Sequence, residues 1–453
     1  MPSKSPSGSA ERNLSILYKR ALLSSFGSGL IGPFIPIYVT QLGASSAEIG
    51  LVQAINSVSP SIAQIPWGFF VDKVRRRTLI VALGNFLYAF MLLLLLGIRN
   101  VTDFIIVVLL AYVLSAMSVP ALNSLIGELS DRVGRGKVLA RINAMASLGS
   151  MPATVISGYI IYRVGGSTWE MYRIPIILCF IFNLAASVMV LMAKDLQFTR
   201  ESFSVRGWAK ALKKNPYFKR LCLLSTFQGF SMGLAWPLFT LTIVKVIRAD
   251  MFQISLLNVI SASTAFIVRG FTGRLADRAG RKPLIVLGRM GLFLVPLIYA
   301  IARSIYELII VNFVIGILTA SSDVAISAYL LDISPRNMRG SYTSLYNAIS
   351  GSFTFLGSTF GGYLLDLSMG LGLNLHDAMT MIYVISIIGR IVSGALYLTL
   401  QEPYKYPAKF EEELKQIFEE EVETIERMIR EYKKIEDEDL EWFERLSGNS
   451  SKR

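Results

Sequence analysis

The chain has 453 residues, 53% of them hydrophobic and only 17% charged, with a net charge of +13 and a mean hydropathy of +0.51. Soluble domains carry nearer a quarter charged residues, so this balance excludes an ordinary soluble fold and points to an integral membrane protein. The two cysteines, Cys179 and Cys222, lie at apolar stretches and imply no disulfide framework; the surplus base reads as membrane topology rather than nucleic-acid binding.

Twelve apolar blocks follow one another at 17–40, 46–70, 78–98, 102–126, 139–164, 171–194, 218–246, 252–272, 283–303, 306–330, 341–367 and 376–399. Each has about the 20 residues that span a bilayer. Without water in the hydrocarbon each must satisfy its own backbone, so each is predicted to be a helix. The stretch from Met1 to Arg20 is polar, and "GSGLIGPFIPIYV" lacks a small-x-small cleavage pattern, so the first block is expected to remain as a span.

Basic residues set the expected orientation. With the N-terminus inside, the outer connections hold Arg99, Arg163, Arg173, Lys245, Arg248 and Arg303. The inner ones hold many more, including Lys73, Arg75, Arg76 and Arg77 in one turn and "RGWAKALKKNPYFKR" at 206–220. The positive-inside rule predicts a multi-pass protein of the plasma membrane with both termini in the cytoplasm. The expected organisation is an N-terminal tail (1–16), six helices (17–197), a basic cytoplasmic linker (198–217), six further helices (218–400) and an acidic cytoplasmic tail (401–453).

That tail changes character at Phe410. Leu414, Phe418, Val422, Ile425, Ile429, Tyr432 and Ile435 recur every three to four positions, as in an amphipathic helix. Residues 411–447 hold fifteen acids and six bases, a net −9, which leaves +22 on the rest of the chain. Three readings stay open: docking under the basic loops, self-association through 410–446, or a solvated helix.

The two sets of six blocks are repeats. Gly68 and Asp72 match Gly273 and Asp277 at an offset of 205; Pro33 matches Pro237, Arg99 matches Arg303, Glu128 matches Asp332 and Asn143 matches Asn347 at 204. Two parallel halves can rock about a central site, a common basis of alternating access. With "GRLADRAGRK" at 273–282 and its looser echo "GFFVDKVRRR" at 68–77, the chain resembles the major facilitator superfamily over roughly residues 14–400. The resemblance implies an all-α membrane protein of twelve transmembrane helices in two pseudo-symmetric six-helix bundles, with the C-terminal amphipathic helix added.

The superfamily's loop signature, Gly-x-x-x-Asp-Arg/Lys-x-Gly-Arg-Arg/Lys, is complete at Gly273, Asp277, Arg278, Gly280, Arg281 and Lys282. In the first copy Gly68, Asp72, Lys73, Arg76 and Arg77 match, and Arg75 replaces the second glycine. A latch is the expected role. The glycine lets a neighbouring helix approach, and the aspartate at a helix C-terminus needs compensation from Arg76 or Arg281 and a facing helix N-terminus. Glu128 or Asp332 is expected to complete each cluster. Lys73 and Arg77 read as solvated loop charges.

Polar stripes at helical spacing mark the expected cavity lining. They are Asn312, Gly316, Thr319, Asp323 and Ser327; Asn143, Ser147, Ser150 and Thr154; Asn347, Gly351, Thr354 and Ser358; Gln53, Ser57 and Gln64; and Asn258, Ser261 and Arg269. Small polar residues also serve as helix-packing surfaces, so both readings stand for the serines and threonines. Asp323 is the sharpest candidate, since a carboxylate inside a span costs about 2.5–3.5 kcal/mol on insertion scales and needs a partner or a purpose. Burial would raise its pKa and suit it to proton exchange. Alternatively, Arg269 pairs with it structurally. Arg390 in the last block is expected to snorkel or support packing, and Trp236 either stacks on a ligand or packs.

Multidrug–proton antiporters of the superfamily carry an arginine on the fourth helix and Gly-Pro on the fifth; here Tyr112 and Met151-Pro152 stand there. The function expected is secondary transport of a small organic solute by alternating access, with proton coupling, uncoupled uniport or transporter-like sensing as open variants. No P-loop, nucleophile–base pair or metal-ligand cluster appears, so neither an enzyme nor a bound cofactor or metal is expected.

Overall fold

The computed structural model describes residues 8–71, 76–130, 135–193, 215–335, 339–403 and 410–420, with 422, 423, 426 and 430 beyond. Among these residues regular structure is entirely helical. The first part of the chain forms α1 (Gly8–Ile31), α2 (Ile35–Gln41), α3 (Ser46–Val71), α4 (Arg77–Leu94), α5 (Val101–Ser115), α6 (Ser118–Ser130), α7 (Arg135–Val164) and α8 (Thr168–Leu191). The second forms α9 (Pro216–Leu234), α10 (Trp236–Leu241), α11 (Met251–Ala279), α12 (Lys282–Gly291), α13 (Leu294–Ile301), α14 (Ile305–Ile333), α15 (Arg339–Gly370) and α16 (Leu375–Leu396). Ten stretches among the described residues are long and apolar enough to cross a membrane. The expected blocks at 46–70 and 341–367 fall on α3 and α15, the latter rich in glycine and serine.

Four expected blocks are broken, each just ahead of a proline, although Pro60, Pro66, Pro152 and Pro175 lie inside helices that continue through them. Proline lacks an N–H, so the carbonyl four residues earlier loses its helical donor. Pro36, Pro120, Pro237 and Pro296 free the carbonyls of Gly32, Ala116, Gly233 and Leu292 in this way. The chain accordingly breaks at Gly32–Phe34, Ala116–Met117, Ala235 and Leu292–Phe293. A single π-turn, Thr242–Val246, ends the segment after α10.

The second part of the chain repeats the pairings of the first. α1 packs on α7 and α8 as α9 packs on α15 and α16, and α4 packs on α8 as α12 packs on α16. Two further contacts, α3 with α15 and α7 with α11, join the two parts. Three apolar clusters result. The largest unites both parts at the end of the bundle remote from the chain termini, through residues such as Tyr38, Phe104, Tyr172, Leu238 and Tyr383. The other two lie near the end that carries the termini and stay within one part each.

Residues 410–420 form a helix. Ile417 is fully buried in the same cluster as Phe218, Tyr342, Tyr397 and Leu400. Arg278 donates from Nη1 and Nη2 to the two oxygens of Glu420 at 2.9 and 3.3 Å, with Glu413 3.8 Å away. That hydrogen bond holds the Glu420 carboxyl below the ordinary glutamate value. The contact is therefore fully present above the ordinary value and is lost as pH falls through the lowered one. Arg278→Glu is expected to undock the helix, speeding backbone amide exchange across 411–420 about tenfold or more. Unchanged exchange would assign the docking to Ile417 alone.

Candidate functional site

A cavity of about 490 Å³ lies between the two parts, lined by Ser25 of α1, Asn143, Ser147 and Ser150 of α7, Arg269 of α11, and Asp323 and Ser327 of α14. α7 starts, and α11 and α14 finish, at the end of the bundle that carries the termini, so the cavity lies toward that end. Asp323, Arg269 and Asn143 therefore meet on one wall system, as do the serines of the α7 stripe.

The ion pair is not the one expected. Arg289 of α12 approaches Asp323, Nη2 to Oδ1 3.4 Å, while its Nη1 lies 3.9 Å from the sulfur of Met232. Arg269 lines the cavity without pairing with the carboxylate. Nor is Asp323 fully buried: its side chain is 59% exposed, facing the cavity, while Arg289 is 15% exposed behind it. The wall thus presents a partly neutralised carboxylate among hydroxyl and amide groups.

Several other candidates sit elsewhere. Asn312 is buried, donates to the Leu308 carbonyl (2.8 Å) and also meets the Tyr299 hydroxyl of α13, and Asn258 donates to the Ile254 carbonyl of its own helix (2.9 Å). Gln53 bridges the two parts by donating to Thr240 Oγ1 at 2.9 Å. Trp236 is half-buried at the break that starts α10, and Asn347 is exposed on α15. None of these five is on the wall of the cavity.

The second loop signature forms a compact charge cluster. Arg281 contacts Asp277 at 3.0 Å and Asp332 at 3.1 Å, and also donates to the Ala276 carbonyl. Gly280, at φ 97°, makes the tight turn. Among the described residues the space beside Gly273 is open. In the first copy Asp72 lies outside the described residues, and nothing is described for the side chains of Gly68 and Glu128. Arg76 is exposed ahead of α4, whereas Arg77, expected to be solvated, is buried at 7%.

Arg390 is a buried cation that length and hydropathy do not explain. It is 1% exposed and so does not snorkel. Its Nη1 donates to the Leu292 carbonyl (2.9 Å), which also accepts from the Val295 N–H (3.3 Å), its Nη2 to the Met232 carbonyl (3.1 Å), and its Nε to Ser386 Oγ (3.2 Å). Its guanidinium also lies 5.7 Å from the Phe239 ring. Arg390 thus joins α9, α16 and the α12–α13 break. In the first part, Arg20 similarly donates to Asn85 Oδ1 at 2.8 Å. Sequence reading missed Arg20 and Arg289; the signal was the rarity of arginine inside spans.

The far end of the bundle is closed. Asp366, near the end of α15, accepts from the backbone N–H groups of Ser46 (3.1 Å) and Ala47 (2.8 Å) at the start of α3. Ser358 donates to the Gly50 carbonyl at 2.9 Å. A Cβ at Gly362 would collide with the Ser46 carbonyl, so glycine is what permits this approach.

Comparison with known proteins is consistent with this architecture. The Major Facilitator Superfamily profile matches residues 21–223 and again 221–435. An MFS-type transporter of Methanocaldococcus jannaschii is 25% identical over 377 residues, 80% of this chain and 93% of that one. The multidrug resistance protein MdtG of Klebsiella pneumoniae is 23% identical over 404 residues, 86% and 93% of the two chains. Among solved structures, the nucleoside transporter NupG aligns with TM-score 0.70 over 87% of this chain and all of that one at 14% identity, sharing the fold. A bacterial homologue of the lysosomal transporter Spinster aligns at 0.65 over 89% and 100% with 13% identity.

Replacing Arg390 by methionine removes three donors while keeping apolar volume, and is expected to destabilise the fold by about 3 kcal/mol, read as a lowered unfolding temperature. A temperature equal to that of the unmodified protein would show that the Val295 N–H alone suffices for the Leu292 carbonyl. With its profile matched twice along the chain and its relatives transporters rather than enzymes, the protein belongs to the Major Facilitator Superfamily, as a multi-pass membrane transporter.

Proposed function

We propose that this chain is a secondary transporter of the plasma membrane, with twelve crossings, both termini cytoplasmic and two six-helix halves (17–197 and 218–400), that moves a small organic solute by alternating access. The observation that carries this reading is the Asp323–Arg289 pair on the wall of a cavity of about 490 Å³ between the two parts, opposite a closed far end.

The chemistry follows from the placement. The Asp323 carboxylate faces the cavity, with the Arg289 cation behind it. Neutralising Asp323 would remove one of the groups that hold Arg289, beside Tyr346 and Met232, which links the state of Asp323 to the packing of α12 on α14. Asn143, Ser147, Ser150 and Ser327 offer hydrogen bonds to the solute, and Arg269 offers a cation. The Asp277–Arg281–Asp332 cluster holds the loop signature within the second half, and its counterpart at Asp72, Arg76 and Glu128 acts as the cytoplasmic latch when that side closes. The acidic helix that starts at Phe410 rides on the second half through Arg278. Because several relatives are named multidrug resistance pumps, drug-like organic compounds lead the solutes to test.

The test is uptake into vesicles with and without an imposed proton gradient. Asp323→Asn is expected to abolish gradient-driven accumulation while solute exchange down its own gradient persists. Undiminished proton coupling in that variant would remove Asp323 from the role.

A further inference from the structure

Hydrogen bonding at the start of α3 shows an unusual division of labour. A helix leaves its first N–H groups without intrahelical acceptors, and each must find one elsewhere. Here Ser45 and Glu48 form a reciprocal cap: the Ser45 N–H donates to Glu48 Oε2 (2.8 Å), and the Glu48 N–H donates to Ser45 Oγ (3.2 Å). That local device leaves Ser46 and Ala47. Both of their N–H groups go to the two oxygens of Asp366, a residue 320 positions from Ser46 in the other part of the chain. The α3 terminus is thus completed only when the two parts meet.

The repeat shows what is special about this contact. The equivalent helix, α11, caps itself through Asp250 and Gln253, whose side chains and backbone N–H groups pair reciprocally at 3.1 and 2.7 Å. At the offset of 204 the counterpart of Asp366 is Tyr162, which is exposed and has no acidic function. The α7–α11 contact is instead made by Gly158 against Ser255 and Met251. One of the two pseudo-symmetric seams between the parts therefore carries a charged lock; the other, among the described residues, carries packing and a weak Ser263 Oγ–Met151 sulfur contact at 3.8 Å.

We infer that Asp366 is the lock of the outer gate: a positioning residue whose carboxylate, seated on the α3 N-terminus, sets how often the far side opens to solute. This rests on the alternating-access reading above. Carboxylate-to-N–H bonds of this kind are charge-assisted and also gain from the positive end of the helix. Opening the far end must transfer both N–H groups and the carboxylate to water. Lock strength therefore biases the two facing states without touching the cavity, since Asp366 lies outside its wall.

The experiment reads far-end opening directly, in the full chain and without solute, so its outcome is separate from whether the transport reading holds. Ser358, fully buried in the closed seam, is replaced by cysteine as a reporter; the native Cys179 and Cys222 are both buried. Labelling by a membrane-impermeant maleimide is timed in vesicles holding the protein in a known orientation. Asp366→Asn keeps the shape but turns an N–H donor toward N–H donors, and is expected to speed labelling about tenfold. Ser46→Pro removes one donor from the opposite side at a first-turn position that tolerates proline, and is expected to speed labelling in the same direction. Asp366→Glu, which keeps the charge, should return the rate toward that of the parent. Each variant is first shown to unfold within a few degrees of the parent, so that general loosening does not imitate the effect. Labelling at the parental rate in both folded variants, or acceleration by Asp366→Glu equal to that by Asp366→Asn, would overturn the assignment.

Discussion

The contact between α3 and α15 is the interaction on which the rest of this conformation depends. It brings two backbones together at Gly362 and Ser46, and it ties the two parts of the chain at the end remote from the termini. With that end drawn shut and its large apolar cluster shared between both parts, the remaining space falls toward the other end, where the clusters stay separate. The cavity and its polar wall are consequences of that asymmetry. A pore open at both ends would need neither the seam nor the separation.

Satisfaction of polar groups in a water-poor interior explains the other recurrent features. Prolines break four of the spans, and the carbonyls they deprive accept tighter backbone N–H bonds instead, such as Val119 N–H to Ala116 and Val295 N–H to Leu292. At Leu292 Arg390 adds a second donor, a cation held by two carbonyls, a hydroxyl and the face of Phe239 rather than by a carboxylate. Asp323 and Arg289 divide differently: one is exposed to the cavity, the other mostly buried behind it. The contrast separates a charge that holds helices together from a charge that faces cargo space.

Much of the architecture was legible because the bilayer imposes a length and a period that survive in sequence, and because a duplicated chain repeats its landmarks at one offset. The loop signature from Gly273 to Lys282 was equally legible, since its turn requires Gly280 and Asp277 and Arg281 pair one helical turn apart, whereas the reach of Arg278 to Glu420 was not. What could not be read were choices between residues of the same type at similar depth. Arg269 and Arg289 are both within a side chain's reach of Asp323 on neighbouring helices, and only the rotation of α11 and α12 decides between them. The Asp366 contact was invisible for another reason: a terminal acid on a span looks like any loop charge until the helix it caps is known. Asn312 and Asn258 donate to carbonyls of their own helices, and an asparagine of that kind has the same periodicity as one that faces a cavity.

Alternating access is the central claim, and inter-label distances test it most directly. Spin labels at Arg163 and Leu371, both exposed at the far end, and at Arg141 and Arg339, both exposed at the end carrying the termini, report the two openings. The account predicts that conditions which lengthen the first distance shorten the second, with two discrete populations exchanging between them. Distances that lengthen together, or a single population unmoved by solute and pH, would contradict it.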